Sequence, residues 1–78
     1  MEIGTISNYY EKIGVASVKL SSNLSIGDKI KIKGSNVEFE QLVESMQLNH
    51  EPIKKAKKGD EVGIKMNQPV KDGFKVLK

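Results

Sequence analysis

The sequence predicts an all-β fold, a small antiparallel barrel or sandwich. Apolar and β-branched residues alternate with polar residues in short runs, as they do in strands with one buried face. Gly, Asn, Asp and Pro separate these runs about every 8 to 12 residues, which is typical of small all-β proteins. With 78 residues, the chain has room for one small core. We therefore expect a single domain over residues 1–78.

The first two predicted strands form an antiparallel pair. Residues 2–8 mix β-branched with polar positions and form the first strand. Residues 13–20 form the second, in which Ala16, Val18 and Leu20 share one face. A polar stretch that contains two tyrosines connects them.

The third predicted strand, residues 29–33, has the clearest pattern. It follows a Gly27-Asp28 pair that is typical of a tight bend. Two isoleucines alternate with three lysines along it, so one face is buried and the other is a solvated lysine face.

Residues 35–47 fit two interpretations. For an amphipathic helix, Ser35 and Glu38 have capping-box spacing, and apolar side chains recur at helical spacing. These apolar residues are Phe39, Leu42, Val43 and Met46. A strand would need a break of phase near Gln41. The residue pattern alone favours the helix over the strand.

The last third of the chain predicts two more strands. Pro52 indicates a loop, and residues 54–58 read as a polar connection. A strand then covers residues 62–66, where Gly63 indicates either a bulge or a close approach of another chain segment. Residues 74–77 form a short final strand.

The composition argues against an enzyme. Cysteine is absent, which excludes disulfides and thiolate metal sites. The only histidine, His50, is expected in an exposed loop rather than as a catalytic base. Neither a phosphate-binding loop nor a dinucleotide motif occurs. We expect no catalytic residue, no cofactor, no metal and no GTP binding by this chain. Since no long apolar run occurs, we also expect no membrane contact and a cytoplasmic location.

The charged residues suggest one candidate nucleic-acid site. Thirteen lysines, no arginine and ten acidic residues give a net charge of +3. Lysines in residues 54–58 have the chemistry of phosphate contacts, and two tyrosines in the first loop are candidates for stacking on bases. The candidate residues are Lys54, Lys55, Lys57, Lys58, Tyr9 and Tyr10. The alternative is a solvated lysine loop that protects a sheet edge, with one tyrosine packed on the barrel and the other covering its end.

The acidic residues of the middle segment have a simpler interpretation. Glu38, Glu40 and Glu44 would lie opposite the lysines of residues 29–33 on a hairpin. We expect them to be cross-strand charge partners and not an acid–base pair.

Nearly the whole chain resembles domain 2 of the translational GTPases, the β-barrel that follows the GTP-binding domain in elongation factor Tu. It is also similar to small stand-alone elongation-factor-like proteins that consist of this barrel. A related barrel resembles the C-terminal accessory domain of collagenase-like peptidases. The resemblance lies in residues 4–6, 13–16, 24–30, 43–47 and 56–64.

The resemblance implies a six- or seven-stranded antiparallel barrel with Greek-key character. The family counterpart of residues 43–47 is a strand, so the strand interpretation of the middle segment is preferred. The break of phase then becomes a predicted bulge near Gln41, which would let both Val43 and Met46 reach the core.

The family also implies a non-catalytic binding module that contacts RNA, either ribosomal RNA or tRNA, or a translation-associated protein. The alternative is a protein-interaction or accessory module that docks on an enzyme such as a collagenase-like peptidase. Small-molecule binding in the barrel mouth has no support beyond the shape.

Overall fold

The computed structural model describes residues 1–49 and 51–78, so the expectation for His50 lies outside the described residues. The described residues form strands and turns and no helix. They therefore contain no helix that could cross a membrane. The strands are β1 Glu2–Tyr10, β2 Val15–Leu20, β3 Leu24–Ser25, β4 Lys29–Lys33, β5 Glu38–Leu42, β6 Met46–Leu48, β7 Glu51–Ile53, β8 Lys55–Ala56, β9 Glu61–Lys65 and β10 Lys75–Leu77.

The all-β antiparallel fold class is confirmed. One sheet has the strand order β5-β4-β10-β1-β2-β9-β6-β7, and β3 pairs separately with β8. Every pairing is antiparallel. The strand count exceeds the six or seven expected because several strands contain only two or three residues.

The core lies between the inward faces of the curved sheet. In β2, Ala16, Val18 and Leu20 are buried as the alternation predicts. In β4, the two isoleucines are buried between lysines. The buried apolar side chains are Ile3, Ile6, Ala16, Val18, Leu20, Leu24, Ile30, Ile32, Val43, Met46, Ala56, Val62, Ile64, Met66, Val70 and Val76.

Strand β1 is irregular at two places. Its pairing with β10 shifts register between Glu2 and Gly4, and its pairing with β2 shifts between Ile6 and Asn8. An extra residue on one strand increases local twist and bends the strand. The first shift places two consecutive residues, Ile3 and Gly4, in the buried interior.

The middle segment is a strand, but the predicted bulge near Gln41 is wrong. The β4–β5 register is continuous through Gln41, which pairs with Ile30. Gln41 itself points inward and is 6% exposed. The alternation therefore does not break at Gln41, and the phase changes instead across residues 43–45, which lie between strands.

Gln41 connects the edge strand β5 to the end of β9, which is not its neighbour in the sheet. Its Nε2 donates to the carbonyl of Lys65 at 2.8 Å, and its Oε1 accepts from the backbone N–H of Asn67 at 2.8 Å. Strand β5 is the first in the sheet order and β9 is sixth. The side chain of Gln41 thus bridges a gap that backbone pairing leaves open, and the sheet takes a barrel-like shape.

Cross-strand ion pairs cover the outer face of β4 and β5, as expected. Lys29 Nζ lies 3.8 Å from Glu40 Oε1, and Lys31 Nζ lies 3.5 Å from Glu38 Oε1. All four side chains are about half exposed. Such pairs contribute little to stability. Glu44 forms no ion pair with a described residue.

One ion pair ties the C-terminal lysine to a turn. Lys78 Nζ donates to Asp28 Oδ2 at 2.8 Å, and the Ser25 N–H donates to the same oxygen at 2.9 Å. Both bonds hold the pKa of the Asp28 carboxyl below its usual range, and the bond from Lys78 has the larger effect. The carboxylate is therefore more stable in the folded chain than in the unfolded chain.

We expect Asp28→Asn to lower the free energy of unfolding by less than about 1 kcal/mol near neutral pH, because the pair is partly exposed. Because the folded pKa is depressed, this stabilisation is present above the unfolded pKa of about 4 and is lost as pH falls through the folded value. Melting curves of both proteins at about pH 7 and pH 2 test this expectation. A difference that persists undiminished at the lower pH contradicts it.

Candidate interaction surfaces

Residues 54–58 are more ordered than the predicted polar connection. Lys55 and Ala56 form β8, which pairs with β3 through Leu24↔Ala56 and Ser25↔Lys55. Ala56 is buried against the core. The lysines at 54, 55, 57 and 58 are all exposed. A short strand and a turn therefore hold these four lysines, which we call the lysine face.

The turn that follows β8 has the same construction as the turn that follows β3. In residues 25–28, the N–H of Asp28 donates to the Ser25 carbonyl at 3.1 Å, and the Asp28 carboxylate accepts from the Ser25 N–H. In residues 57–60, the N–H of Asp60 donates to the Lys57 carbonyl at 3.0 Å, and the Asp60 carboxylate accepts from the Lys57 N–H at 3.1 Å.

Each of the two turns needs a glycine before its aspartate. Gly27 has φ of 92° and Gly59 has φ of 93°, a region that side chains disfavour and glycine adopts readily. The Gly-Asp pairs of the sequence therefore build turns. They carry no information about RNA.

The lysine face has no carboxylate partner among the described residues. The neighbouring carboxylates are engaged elsewhere: Asp60 by the Lys57 N–H, Asp28 by Lys78, and Glu61 by the Ser7 hydroxyl at 2.7 Å. The four amines of the lysine face therefore form no ion pair with a described residue, although the Asp60 carboxylate beside them keeps its negative charge.

A shallow recess of about 480 Å³ lies beside the β3–β8 pair. Its walls carry two amines, two neutral polar side chains and one carboxylate. The lining residues are Lys55, Lys57, Asn23, Ser25, Asp60 and Ala56. The recess therefore presents hydrogen-bond donors at the edge of the lysine face.

The two tyrosines lie in a strand and not in the expected loop. Tyr9 and Tyr10 end β1 and pair with Ala16 and Val15. Tyr9 is half-buried and packs against the core, whereas Tyr10 is 48% exposed. The first strand is longer than predicted because its pairing with β2 continues to the turn at Gly14, whose N–H donates to the Tyr10 carbonyl at 2.8 Å.

The structure does not bring the tyrosines and the lysines together. Tyr10 pairs with the first residue of β2, whereas Gly59 donates to the carbonyl of Leu20, the last residue of β2. Five residues of strand separate these points by about 16 Å. The nucleic-acid role of these residues stays a prediction that nothing in the structure tests.

A second groove, of about 390 Å³, lies near Tyr10 on the outer face of the sheet. Tyr10, Ile13 and Val15 line one part of it, and Gly63 lines another. A Cβ at Gly63 would lie 3.1 Å from Val15 Cγ1, so Gly63 marks a close approach and not a bulge. No sequence pattern marks this groove, because strand pairing brings its lining residues together from distant segments of the chain. Its wall is partly apolar, since Ile13 is 65% exposed.

Comparisons with known proteins connect this fold to peptidases. Over 77 residues the chain is 44% identical to an uncharacterized protease of Methanocaldococcus jannaschii, a match covering 97% of this chain and 19% of the protease. The chain thus spans about a fifth of the length of that relative. No family model matches the chain.

Two crystal structures of the C-terminal domain of a "putative U32 peptidase" from Geobacillus thermoleovorans have the same fold. The selenomethionine form has a TM-score of 0.95 at 20% identity, covering 100% of this chain and 99% of that one. The other form has a TM-score of 0.93 at 20% identity, covering 99% of this chain and 90% of that one.

The expected relationship to domain 2 of elongation factor Tu is wrong, and so is the translation-related function drawn from it. The neighbours found are parts of a protease and of a peptidase. The matched motifs misled because their glycines and aspartates form turns, and such turns occur in folds of many functions. The chain therefore has the fold of a peptidase C-terminal domain and is similar in sequence to a segment of a protease.

Proposed function

We propose that the chain is a non-catalytic accessory module of a U32-type peptidase, which docks on the part of the enzyme that carries the active site. The observation that carries this proposal is the 44% identity to one fifth of a protease, over nearly all of this chain. The fold shared with an isolated peptidase C-terminal domain supports it. A cytoplasmic location belongs to the same proposal.

The chemistry of the described residues agrees with a supporting role. No group of three His, Cys, Asp or Glu side chains suited to a metal occurs in residues 1–49 and 51–78. The two carboxylates that line the recesses, Glu61 and Asp60, make structural hydrogen bonds.

A chimera tests this proposal. In the M. jannaschii protease, the matching segment is replaced by this chain, and the isolated chain is the control. Docking stabilises a folded domain by mass action, so we expect the chain to melt at a higher temperature inside the chimera than alone. The measurement is hydrogen exchange during a thermal ramp, which follows the strands of this chain separately from the rest.

A second variant tests the proposal independently, in case the chimera fails to fold. The protease without its matching segment is checked for folding by circular dichroism and mixed with the purified chain. We expect a one-to-one complex on gel filtration. The intact protease should form a weaker complex, because its own segment already occupies the docking surface. If the folded deletion variant forms no complex and the chimera melts as two independent parts, the proposal is wrong.

A further inference from the structure

We propose that the lysine face is the surface through which the chain docks on its peptidase partner, and that it binds an acidic protein surface. A partner Asp or Glu side chain would occupy the recess between Lys55 and Lys57. This assignment rests on the function proposed above, and it names the surface and the chemistry of the docking.

The charge distribution singles out this surface. Removing the four positive charges of the lysine face takes the formal net charge of the chain from +3 to −1. By contrast, Lys29, Lys31, Lys75 and Lys78 all have carboxylate partners. Lys12, Lys19, Lys33, Lys65 and Lys71 also form no ion pair with a described residue, but they are spread along the chain. Only the lysine face holds four lysines within five residues, and there charge complementarity promotes docking and selects its orientation.

The lysine face is also held in place before any partner binds. Ala56 is buried between lysines and fixes β8 on the core. The Ile26 N–H donates to the Lys54 carbonyl at 2.9 Å, and Gly59 donates to the Leu20 carbonyl at 3.0 Å. Docking then orders side chains on a backbone that is already ordered, which reduces the entropy cost of association.

The chemistry of the recess suits a carboxylate of a protein. Lysine amines are compact point charges that pair with carboxylates and phosphates alike, so the choice of a carboxylate follows from the peptidase partner proposed above. Sequence-specific recognition of guanine bases relies heavily on the two-pronged arginine side chain. The chain contains no arginine. The Asp60 carboxylate in the recess already accepts from the Lys57 N–H, and the Ser25 and Asn23 side chains leave room for further hydrogen bonds to a carboxylate.

The position of the face agrees with this assignment. The start of β1 is tied to the end of β2, since the Ser21 N–H donates to the Ile3 carbonyl at 2.8 Å. The lysine turn bonds to the same end of β2 at Leu20. In the Geobacillus protein this domain is C-terminal, so the rest of that peptidase enters at the strand that corresponds to β1, on the side of the lysine face.

The first test compares two quadruple variants with equal changes of charge. One carries Lys54→Glu, Lys55→Glu, Lys57→Glu and Lys58→Glu. The matched control carries Lys12→Glu, Lys33→Glu, Lys65→Glu and Lys71→Glu, all at exposed positions. Both should melt within a few degrees of the wild type, since exposed charges contribute little to stability. Binding to the protease without its matching segment is measured by calorimetry at low and high NaCl.

We expect the lysine-face variant to bind about 10- to 100-fold more weakly than the wild type, and the control to bind within about 3-fold of it. Wild-type affinity should fall as NaCl rises, because salt screens exposed charges. Equal losses in both variants would show that only the total charge matters and would overturn the assignment.

The second test is lysine acetylation footprinting of the free chain and of the full-length chimera. We expect the chimera to slow acetylation at Lys54, Lys55, Lys57 and Lys58, with little change at Lys29 and Lys31. Slower acetylation at Lys12 and Lys65 instead would place the partner on the groove near Tyr10, so the accessory function would stand and the assigned surface would be wrong. If acetylation slows neither at the lysine face nor at Lys12 and Lys65, the chain does not dock on its partner and the proposal is wrong.

A nucleic-acid control closes the test. A single-stranded RNA oligonucleotide replaces the protease in the same titrations. If the lysine-face variant loses affinity for this RNA but keeps its affinity for the protease, the face serves nucleic acid and the assignment is wrong.

Discussion

We expect Gln41→Leu to lower the free energy of unfolding by about 1–3 kcal/mol, because it removes both the donor to the Lys65 carbonyl and the acceptor for the Asn67 N–H. Leucine fills a similar volume, so the loss reports the hydrogen bonds and not a cavity. For a chain of this size, each kcal/mol lowers Tm by about 4–8 °C. Chemical denaturation and thermal melting measure the effect.

The matched control is Gln47→Leu, the same replacement at an exposed position of β6. We expect it to change stability by no more than about 0.5 kcal/mol, as most surface substitutions do. Hydrogen exchange adds a local readout, since the Asn67 amide should exchange faster in Gln41→Leu. A Gln41→Leu protein as stable as the Gln47→Leu control would show that the sheet does not depend on this bridge.

The second expected effect of this size is at Gly4 in β1. A Cβ at this position would lie 2.8 Å from Val18 Cγ1 and 2.9 Å from the Lys19 carbonyl oxygen. Both contacts are too short, and the second involves the backbone of the neighbouring strand. We expect Gly4→Ala to lower the free energy of unfolding by about 1–3 kcal/mol, the usual cost of overpacking a core.

Two comparisons test the cause of that loss. Gly63→Ala places a Cβ 3.1 Å from the Val15 side chain alone, which is able to move, so we expect a smaller effect. In a Val18→Ala background, Gly4→Ala should cost less but still destabilise, because the Lys19 oxygen remains. Equal losses at Gly4 and Gly63 in denaturant titrations would rule out the backbone contact as the cause.

The stability of this fold and the proposed docking surface depend on different residues. Gln41 and Gly4 lie in the interior, whereas the lysine face is exposed and attached to the core through Ala56. Variants of the lysine face should therefore change binding without unfolding the protein, which keeps the docking tests interpretable.

The resemblance to elongation factor Tu shows how a local pattern misleads about function. Gly27-Asp28 and Gly59-Asp60 match because each pair closes a turn by the same two hydrogen bonds. Turns of this kind follow from strand geometry and occur in barrels of many functions. The assignment to a peptidase module depends instead on similarity over the whole chain.

Local features determined much of the fold from the sequence alone. Alternation of apolar and lysine residues identified β4, and the same period identified the buried face of β2, because side chains of a strand alternate between its two faces. Gly27 marked the turn before β4 correctly, since glycine readily adopts a positive φ. Gly14, by contrast, lies in a turn before β2 and not in the predicted second strand. The cross-strand ion pairs of β4 and β5 followed from the same register.

Tertiary structure alone decided the features that join residues distant along the chain. Gln41 is polar, and its inward position became clear only from its bonds to residues 24 and 26 positions away. Lys55 and Ala56 became a strand because β3 offers a pairing partner some thirty residues earlier. The separation of the tyrosines from the lysine face likewise depends on the β1–β2 and β2–β9 registers. A local pattern carries no information about such pairings, because their energy comes from partners that only the folded chain brings together.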